Sequence, residues 1–354
     1  MKKKICVLFG GESTEYEVSL RSAYSVINNL DKDLYDIITV GIRKDGKWFL
    51  YDGDYDRIPT DNWYTDDLSA ASIMHGSKES AICVFEPDGT YRKILFDVAF
   101  PVLHGKNGED GTIQGLFEIT GIKYVGVGVI ASSVGMDKTF TKIIFKDAGI
   151  PQANWITLAK HELGRFDAKI AEAEAKLSYP MFIKPANAGS SIGIGKAKNR
   201  DELKACIEEA FKFDRKILIE EFLTGHEVEC AVLGNRGNIT ASCVGEIVAS
   251  QEFYTYDAKY SSDSTSELYI PAKLDGKYAE MVREYAIKAF EALDGKGLSR
   301  VDFFVDEDKQ KVCINEINTL PGFTSISMYP KLFEASGIAY DKLLTTLIDI
   351  ACEE

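Results

Sequence analysis

Apolar and polar positions in the N-terminal part of the chain predict strands and helices in alternation. Short apolar, β-branched runs predict strands at 4–9, 35–42, 48–50, 97–103 and 123–128. Apolar residues at helical spacing predict helices at 17–30 and 114–121. The polar segment 51–80 has no clear period and is expected to be an irregular insertion. Such alternation is typical of a doubly wound parallel sheet.

Farther along the chain the pattern changes to longer helices and consecutive strands. A helix is predicted at 131–148, followed by a strand around Trp155, an Ala/Glu/Lys-rich helix to Leu177 and a strand at 181–185. Val- and Ile-rich strands come next, with helices at 277–292 and 339–351. The expected fold class is α/β, becoming α+β in the C-terminal part. The expected domains are 1–128, 129–224 and 225–354.

Two predicted strands near the C-terminus bring acidic side chains together. Asp302 lies in an apolar run, and the polar turn DEDKQK lets the segment 311–317 return as an antiparallel neighbour. Asp302 and Glu316 are therefore expected side by side. Buried carboxylates are costly unless they are paired or bound to a metal, so this arrangement predicts a site for a hard cation.

A third oxygen ligand follows from the spacing in the second strand. Glu316 and Asn318 are two residues apart and are expected on one face, with Cys313 and Ile317 on the other. Because Mg²⁺ usually takes one or two carboxylates plus substrate phosphates, the three residues predict a nucleotide-phosphate site. The alternative is an acidic pair bridged to Arg300.

Composition narrows the function classes. The 354 residues are 45% hydrophobic, which is enough for two or three packed domains. A net charge of −14 argues against a nucleic-acid-binding protein. No apolar run approaches the roughly 18 residues that span a membrane. MKKKICVLFGG indicates a first strand rather than a signal peptide, and seven cysteines without a CxxC pair indicate reduced thiols, as expected in the cytoplasm.

Three loops are candidates for ligand contacts. The segment KPANAGSSIGIG, 184–195, is a strand end and a small-residue loop whose amides suit phosphate oxygens, although a flexible hairpin is the alternative. In ILIEEFLTGHEVE, 217–229, exposed backbone suits an adenine edge and Glu227 a ribose; a solvated acidic turn is the alternative. Glu15 lies at the carboxyl end of the first strand, where ligands bind in doubly wound sheets, or else stabilises the helix that follows.

These segments, taken in order, resemble the D-alanine–D-alanine ligase family of the ATP-grasp fold over nearly the whole chain. The matching strings are FGGESTEYEVSLRSA, PVLHGKNGEDGTIQG, GVIASSVGMDK, PMFIKPANAGSSIGIG, IEEFLTGHEVECAVLGN, EFYTYDAKY, GLSRVDFFV and INEINTLPGFTSISMYP. The resemblance implies an N-terminal substrate-binding domain followed by two ATP-grasp subdomains that clamp ATP between two sheets. It also implies ATP-dependent ligation of two D-alanines through a D-alanyl phosphate, for peptidoglycan precursor synthesis.

The resemblance assigns one set of residues to ATP and metal. Asp302, Glu316 and Asn318 would hold two Mg²⁺ ions, with Mn²⁺ as a substitute. Lys138 and Lys184 would contact the phosphates. The residues assigned to the adenosine pocket and to the loop that covers the phosphates are Ser190, Ser191, Glu220, Glu221, Phe222, Leu223 and Glu227.

A second set is assigned to the amino acids. Glu15 would anchor the ammonium of the first D-alanine, in a hydrogen-bonded triad with Ser190 and Tyr260. Arg300 and the backbone amide of Gly322 would stabilise the acyl phosphate and the oxyanion. The remaining substrate contacts implied by the family are His104, Lys259, Ser327 and Met328.

Four alternatives remain at this point. A catalytically dead nucleotide sensor of the same fold should have lost a metal ligand or Arg300, and a carboxylase-type ATP-grasp enzyme should lack Glu15 and the Lys259-Tyr260 pair. Within the family, the TEYEVS spelling also resembles the D-serine-accepting ligases of vancomycin resistance, so either D-alanine or D-serine is the second substrate. The D-lactate ligases fit less well, because their loop differs from YTYDAKY.

The family also implies a homodimer.

Overall fold

The computed structural model describes residues 2–76, 79–189, 192–248 and 267–353. Its N-terminal sheet has the strand order β3-β2-β1-β7, with β1 parallel to both β2 and β7. The elements are β1 (Lys3–Gly10), α1 (Tyr16–Asn29), β2 (Tyr35–Ile42), β3 (Trp48–Tyr51), β4 (Ala71–Ile73), β5 (Ala81–Phe85), β6 (Tyr91–Leu95), β7 (Val98–Val102) and α2 (Thr112–Thr120). The predicted doubly wound arrangement is confirmed, since apolar strands parallel to one another are covered by helices.

The segment 51–80 is more ordered than its sequence predicts. It contains a 3₁₀ turn at Tyr55–Arg57 and the strand β4, which forms an antiparallel sheet with β5 and β6. Trp63 is fully buried and packs edge-on against Phe9 at 5.1 Å between ring centroids. The short strands and exposed side chains of this sheet give too weak an alternation to detect, and one buried aromatic anchors the segment to the core.

Two boundary predictions are wrong. Residues 123–128 form no strand beyond a single bridge between Ala99 and Tyr124, because Gly126 has φ of 128° and leaves the extended conformation. The predicted helix 131–148 is two helices, α3 (Val129–Met136) and α4 (Lys138–Asp147). Asp137 separates them with an extended backbone, and its side chain caps α4 by accepting the Thr139 N–H at 3.0 Å. The break places Lys138 at the first position of α4.

The central sheet is antiparallel, with strand order β10-β9-β11-β8. Its elements are β8 (Trp155–Ala159), α5 (Phe166–Lys176), β9 (Met181–Pro185), β10 (Gly195–Ala197), α6 (Arg200–Ala210) and β11 (Lys216–Glu221). A second 3₁₀ helix, Lys160–Arg165, precedes α5. The two helices and the sheet share one apolar core that includes Ile183, Leu203 and Ile219.

The C-terminal sheet is also antiparallel, with strand order β14-β13-β12-β15-β16. Its elements are β12 (His226–Asn235), β13 (Asn238–Val248), β14 (Glu267–Tyr269), α7 (Gly276–Ala292), β15 (Gly297–Asp306), β16 (Lys311–Asn318), α8 (Met328–Ala335) and α9 (Tyr340–Cys352). One core combines α8 and α9 with α1 and β1, so the two ends of the chain pack together. No helix in the described ranges is long and apolar enough to cross a membrane.

Candidate active site

One cleft lies where the N-terminal sheet, the start of α4 and the C-terminal sheet meet. It gathers side chains that are far apart in sequence but were assigned to one reaction. The predicted site residues that line it are Glu15, His104, Lys138, Arg300, Glu316, Asn318, Gly322, Ser327 and Met328. Ser190, Ser191, Lys259 and Tyr260 lie outside the described residues.

The acidic pair forms between β15 and the edge strand β16 of the C-terminal sheet. β15 and β16 pair with Asp302 opposite Glu316, as their sequence predicts. The register then shifts by one residue, which makes Asn315 a bulge. Because of the bulge, Ile317 packs in the same apolar core as Ile314, so the expectation that it shares a face with Cys313 is wrong.

Arg300 is held by two carboxylates. Its guanidinium donates to Asp302 through Nε at 2.8 Å and through a terminal nitrogen at 2.7 Å. Nε also lies 2.9 Å from Oε2 of Glu229, which is directly opposite Asp302 on β12. Sequence reasoning missed Glu229, although an acid two residues beyond Glu227 in an apolar strand was an available signal. The two carboxylates fix a cation at the wall of the cleft.

The oxygens near Arg300 suit a divalent cation only if other ligands join them. The side-chain amide of Asn318 donates to Asp302 at 3.0 Å, and Nζ of Lys138 lies 3.6 Å from Glu316. Among the described residues, no three His, Cys, Asp or Glu side chains are grouped so that they could hold a metal alone. Two carboxylates and an amide oxygen fit Mg²⁺ that shares phosphate oxygens, since Mg²⁺ rarely relies on an all-protein cage.

A buried charge network supports the phosphate side of the cleft. Glu220 on β11 pairs with Nζ of Lys184 at 2.9 Å and of Lys142 at 3.1 Å. Lys184 also donates to Oδ1 of the bulged Asn315 at 2.9 Å. Burial opposes the charge of Glu220, but the two lysines outweigh it and lower its pKa to about 2. Lys142 follows Lys138 by one helical turn, a spacing that sequence reasoning did not use.

Lys138 is fixed at the edge of this network by backbone. Its ammonium donates to the carbonyl of Ala188 at 2.8 Å, and its own N–H binds the carbonyl of Ala186. The lysine therefore links the start of α4 to the small-residue loop after β9. This position suits contact with a phosphate that lies under the loop.

The residues assigned to adenosine differ in their contacts and in their burial. Glu221 accepts from the backbone and side chain of Asn154, at 3.0 and 3.1 Å. Phe222 stacks on Phe182 at 5.6 Å and lies under Nζ of Lys196 at 4.1 Å. Leu223 and Glu227 are half-buried at the turn and the start of β12. The side chain of Glu220 is committed to the buried lysines, and the residue is paired with Phe182 on β9 and Trp155 on β8.

The amino-acid side of the cleft is built from close backbone approaches. Glu15 is buried between two glycines: a Cβ at Gly105 would lie 2.5 Å from its Oε2, and one at Gly189 would lie 2.8 Å away. Side chains at either position would displace the carboxylate. The glycines therefore allow the loops to close on Glu15.

Glu109 is a second acid on this side that sequence reasoning missed. It accepts the N–H of Gly105 at 2.8 Å and the N–H of Leu320 at 3.1 Å. Burial and the nearby charge of Glu15 raise the pKa of Glu109 to about 8, against the lowering effect of the two backbone hydrogen bonds and Arg300. The signal in the sequence was the dense acidic turn HGKNGEDG.

The start of α8 closes the cleft. The hydroxyl of Ser327 binds Thr324, accepting its N–H at 3.0 Å and lying 2.7 Å from its Oγ1. Met328 is buried against Gly245, where a Cβ would lie 2.4 Å from its Cε. The helix begins at Met328, which lines the cleft together with Ser327, and the start of a helix favours a carboxylate.

Tyr16, the distinctive residue of the TEYEVS string, points away from this cleft. Its hydroxyl donates to Asp61 at 2.7 Å and accepts from Nε1 of Trp63 at 3.0 Å. The side chain is buried and anchors the segment after β3 to α1. Tyr16 therefore bears on folding rather than on the choice of substrate.

Comparison with known proteins agrees with this geometry. Residues 4–127 match the family profile described as D-ala D-ala ligase N-terminus, and residues 144–349 match D-ala D-ala ligase C-terminus. The D-alanine–D-alanine ligase of Acetivibrio thermocellus is 51% identical, over 99% of this chain and 96% of its own length. The D-alanine–D-alanine ligase of Caldicellulosiruptor bescii is 48% identical, over 100% of this chain and 96% of its own length.

Solved structures give the same result. The VanG D-Ala:D-Ser ligase from Enterococcus faecalis has a TM-score of 0.90 and 40% identity, over 99% of this chain and 100% of that one. The D-alanine-D-alanine ligase from Coxiella burnetii has a TM-score of 0.82 and 33% identity, over 99% of this chain and 94% of that one. With full-length relatives at about half identity and both halves of the family profile matched, the chain belongs to the D-alanine–D-alanine ligase family, whose ATP-grasp fold it shares.

Proposed function

We propose that this protein joins two D-alanines into D-alanyl-D-alanine for peptidoglycan precursors, in a reaction driven by ATP. The observation that carries the proposal is the cleft itself, which Glu15, Lys138 and Glu316 line together. Asp302 is paired with Glu316, and Lys184 binds the neighbouring Asn315. One wall suits phosphates and the other suits an ammonium group. Membership of the ligase family supports the same assignment.

The reaction needs activation because a carboxylate is a poor electrophile. An oxygen of the first D-alanine attacks the γ-phosphorus of ATP, and ADP leaves, which gives D-alanyl phosphate. The amine of the second D-alanine then attacks the carbonyl carbon, loses a proton, and displaces phosphate to form the peptide bond. Charge builds first on the phosphoryl group and then on the carbonyl oxygen, so positioning and fixed charge are expected to dominate catalysis.

On the phosphate side, Lys138 and Lys184 bind phosphate oxygens, and Glu220 with Lys142 holds Lys184 in place. Asp302, Glu316 and Asn318 would hold two Mg²⁺ ions, which supply positive charge against the phosphates when bound. Arg300 presents a guanidinium fixed by two carboxylates to the acyl phosphate. Phe222, Leu223 and Glu227 form the adenosine side with the backbone of Glu221.

On the amino-acid side, Glu15 binds the ammonium of the first D-alanine. The N–H of Gly322 is assigned to the developing oxyanion, and the start of α8 at Ser327 and Met328 to the second carboxylate. Ser190, Ser191, Lys259 and Tyr260 retain the roles predicted from sequence, as loop residues that close over phosphates and substrate.

D-Serine is the second candidate for the second position, because the VanG D-Ala:D-Ser ligase is a structural neighbour at 40% identity. The cleft near Ser327 is lined by Ile247, Ile326 and Met328, which offer apolar contact to a methyl group. An apolar pocket rejects an added hydroxyl by only about 10²-fold. We therefore expect D-alanine to be preferred, with D-alanyl-D-serine as a minor product.

Three general features complete the proposal. The chain divides at 1–128, 129–224 and 225–354, which is supported by the distribution of the four sheets: two lie in the first range and one in each of the others. Small molecules, D-alanine and ATP, are its substrates, and nucleic acid and membrane are not partners. The protein acts in the cytoplasm as a homodimer; a monomer in light scattering would contradict that assembly.

The test is phosphate release from ATP and Mg²⁺ with D-alanine alone, followed by competition with D-serine and D-lactate and identification of products by mass spectrometry. Mostly D-alanyl-D-alanine supports the proposal. Dominant D-alanyl-D-serine would make D-serine the second substrate, and the absence of D-alanine-dependent phosphate release would refute ligase activity.

A further inference from the structure

Side chains from the N-terminal part of the molecule form hydrogen bonds to the backbone of the loop 319–324. It is the first part of the connection between β16, which ends at Asn318, and α8, which begins at Met328, and it carries Gly322. The carbonyl of Leu320 lies 3.0 Å from Nδ1 of His104, and the N–H of Phe323 donates to Oγ of Ser22 at 3.2 Å. Ser22 and His104 also bind each other, at 3.1 Å between Oγ and Nε2.

These three contacts are all satisfied when the imidazole of His104 is neutral. A carbonyl oxygen only accepts, so Nδ1 of His104 must carry a proton and donate to Leu320. Oγ of Ser22 accepts from Phe323 and can donate its own proton to Nε2 when that nitrogen is unprotonated. The result is a closed circuit from the Phe323 N–H through Ser22 and His104 to the Leu320 carbonyl, with a neutral imidazole.

The surroundings favour this neutral form. His104 and Ser22 are both buried, and burial lowers the pKa of His104, although the nearby charge of Glu15 acts in the opposite direction. Glu109, the other acid close by, accepts the N–H of Leu320 at 3.1 Å. The backbone N–H and the backbone carbonyl of Leu320 are therefore both bound to the N-terminal part of the chain.

We propose that Ser22 and His104 are positioning residues that hold the loop 319–324, and with it Gly322, at the distance from Glu15 that the reaction needs. Both ring nitrogens of His104 have protein partners, so His104 acts through the loop and not as a charged contact to the first amino acid. Ser22 lies on α1, and the circuit ties the site of the first substrate to the backbone that faces the reacting carbonyl. This inference rests on the proposed ligase function.

The variants Ser22→Ala and Ser132→Ala compare two buried serines. Ser132 is fully buried on α3, and its hydroxyl has no hydrogen-bond partner in the described part of the chain. Removal of the Ser22 hydroxyl should lower kcat about tenfold and change the KM for ATP by less than about twofold, because the loop is displaced and the phosphate wall is not. Ser132→Ala should leave both values near those of the parent; equal effects of the two variants would overturn the proposal.

Two changes at His104 separate positioning from charge. The side-chain N–H₂ of asparagine reaches the place of Nδ1, whereas that of glutamine reaches the place of Nε2. His104→Asn keeps the donor to Leu320 and should retain several-fold more kcat than His104→Gln. If His104 instead bound substrate as a cation, both variants should lose activity equally.

A spectroscopic measurement tests the circuit without activity. ¹⁵N-histidine NMR of the full chain, which has four histidines, should show His104 neutral from pH 6 to 8 with the proton on Nδ1. In ¹⁵N-phenylalanine spectra, Ser22→Ala should shift the amide of Phe323 more than Ser132→Ala does. A doubly protonated ring, or a proton on Nε2, would refute the circuit even in an active ligase. If the protein fails to ligate D-alanine, these spectra still judge the circuit separately from the proposed function.

Discussion

The two walls of the cleft are stabilised in different ways. The phosphate wall is a network of full charges, in which Lys142 and Lys184 share the buried carboxylate of Glu220 and lower its pKa. The amino-acid wall is a set of hydrogen bonds to backbone, made by His104, whose pKa is lowered by burial, and by Glu109, whose pKa is raised. The phosphate wall provides fixed positive charge for polyanionic phosphates. The amino-acid wall provides fixed backbone positions for a small substrate.

The difference predicts opposite sensitivities. Changes of charge should damage the phosphate wall most, and changes of hydrogen-bond geometry should damage the amino-acid wall most. Because the desolvated ions are paired, removal of one partner leaves a buried charge that costs several kcal/mol. Loss of a neutral hydrogen bond costs about 1 kcal/mol.

The largest effect is expected from Glu316→Gln. The change keeps the shape of the side chain but removes the charge that faces Lys138 and the proposed Mg²⁺, so turnover should fall at least about 10³-fold with the fold intact. Phosphate release and a circular-dichroism melt measure the two quantities. Glu208→Gln, the same change on the exposed face of α6, is the control, and near-normal activity of Glu316→Gln would remove Glu316 from the site.

Lys142→Met tests the charge network next. Glu220 would keep only Lys184 as a partner, so Lys184 should be drawn toward it and away from phosphate. We expect the KM for ATP to rise severalfold and the free energy of unfolding to fall by about 1–3 kcal/mol, less than for a fully unpaired charge. Urea unfolding and steady-state kinetics measure these. Lys288→Met on the exposed side of α7 is the matched control; a result equal to the control would contradict the network.

Glu220→Gln tests the same wall through acid sensitivity. Because the folded pKa of Glu220 is about 2 and lies below the ordinary value of about 4.3, folding releases a proton between these values. The stabilisation from Glu220 is complete at neutral pH, on the order of 3 kcal/mol, and is lost as pH falls from about 4 to 2. The difference in Tm between parent and variant should therefore narrow toward pH 3, and a constant difference would argue against the shift.

Glu109→Gln should show the opposite pH dependence. The folded pKa of about 8 lies above the ordinary value, so the folded state binds a proton that the unfolded state has lost. The free energy of unfolding of the parent should fall as pH rises from about 4 to 8 on account of this group. The Tm of Glu109→Gln relative to the parent should accordingly rise over that range. A relative Tm that falls with pH would show that Glu109 is ionised in the folded protein.

The smallest effect on function is expected from Tyr16→Phe. Loss of the hydroxyl leaves Nε1 of Trp63 and the carboxylate of Asp61 without this partner, which should cost about 1–2 kcal/mol of stability. The ratio of D-alanyl-D-alanine to D-alanyl-D-serine should stay the same, because Tyr16 faces away from the cleft. Tyr91→Phe, at an exposed position, is the control for stability. A changed product ratio would make Tyr16 a determinant of specificity.

Local sequence signals predicted much of the scaffold. The strands around Val7, Val40 and Phe100 and the hairpin that pairs Asp302 with Glu316 are confirmed, since apolar period and polar turns are local properties. The break at Asp137 was missed because the apolar helical pattern continues through this residue. Only the structure shows that the Asp137 side chain caps the first turn of α4. The bulge at Asn315 was missed because only pairing with β15 reveals it.

The sequence by itself determined the order of most elements, the acidic hairpin and, through its family resemblance, nine of the residues that line the cleft, among them Glu15, Lys138 and Arg300. Only the tertiary structure decided how those residues are paired. It placed Lys142 and Lys184 on one carboxylate, brought Glu229 to Arg300, and turned both nitrogens of His104 to protein partners. The physical reason is that period and propensity act between near neighbours, whereas burial and pairing of charges depend on contacts between residues far apart in the chain.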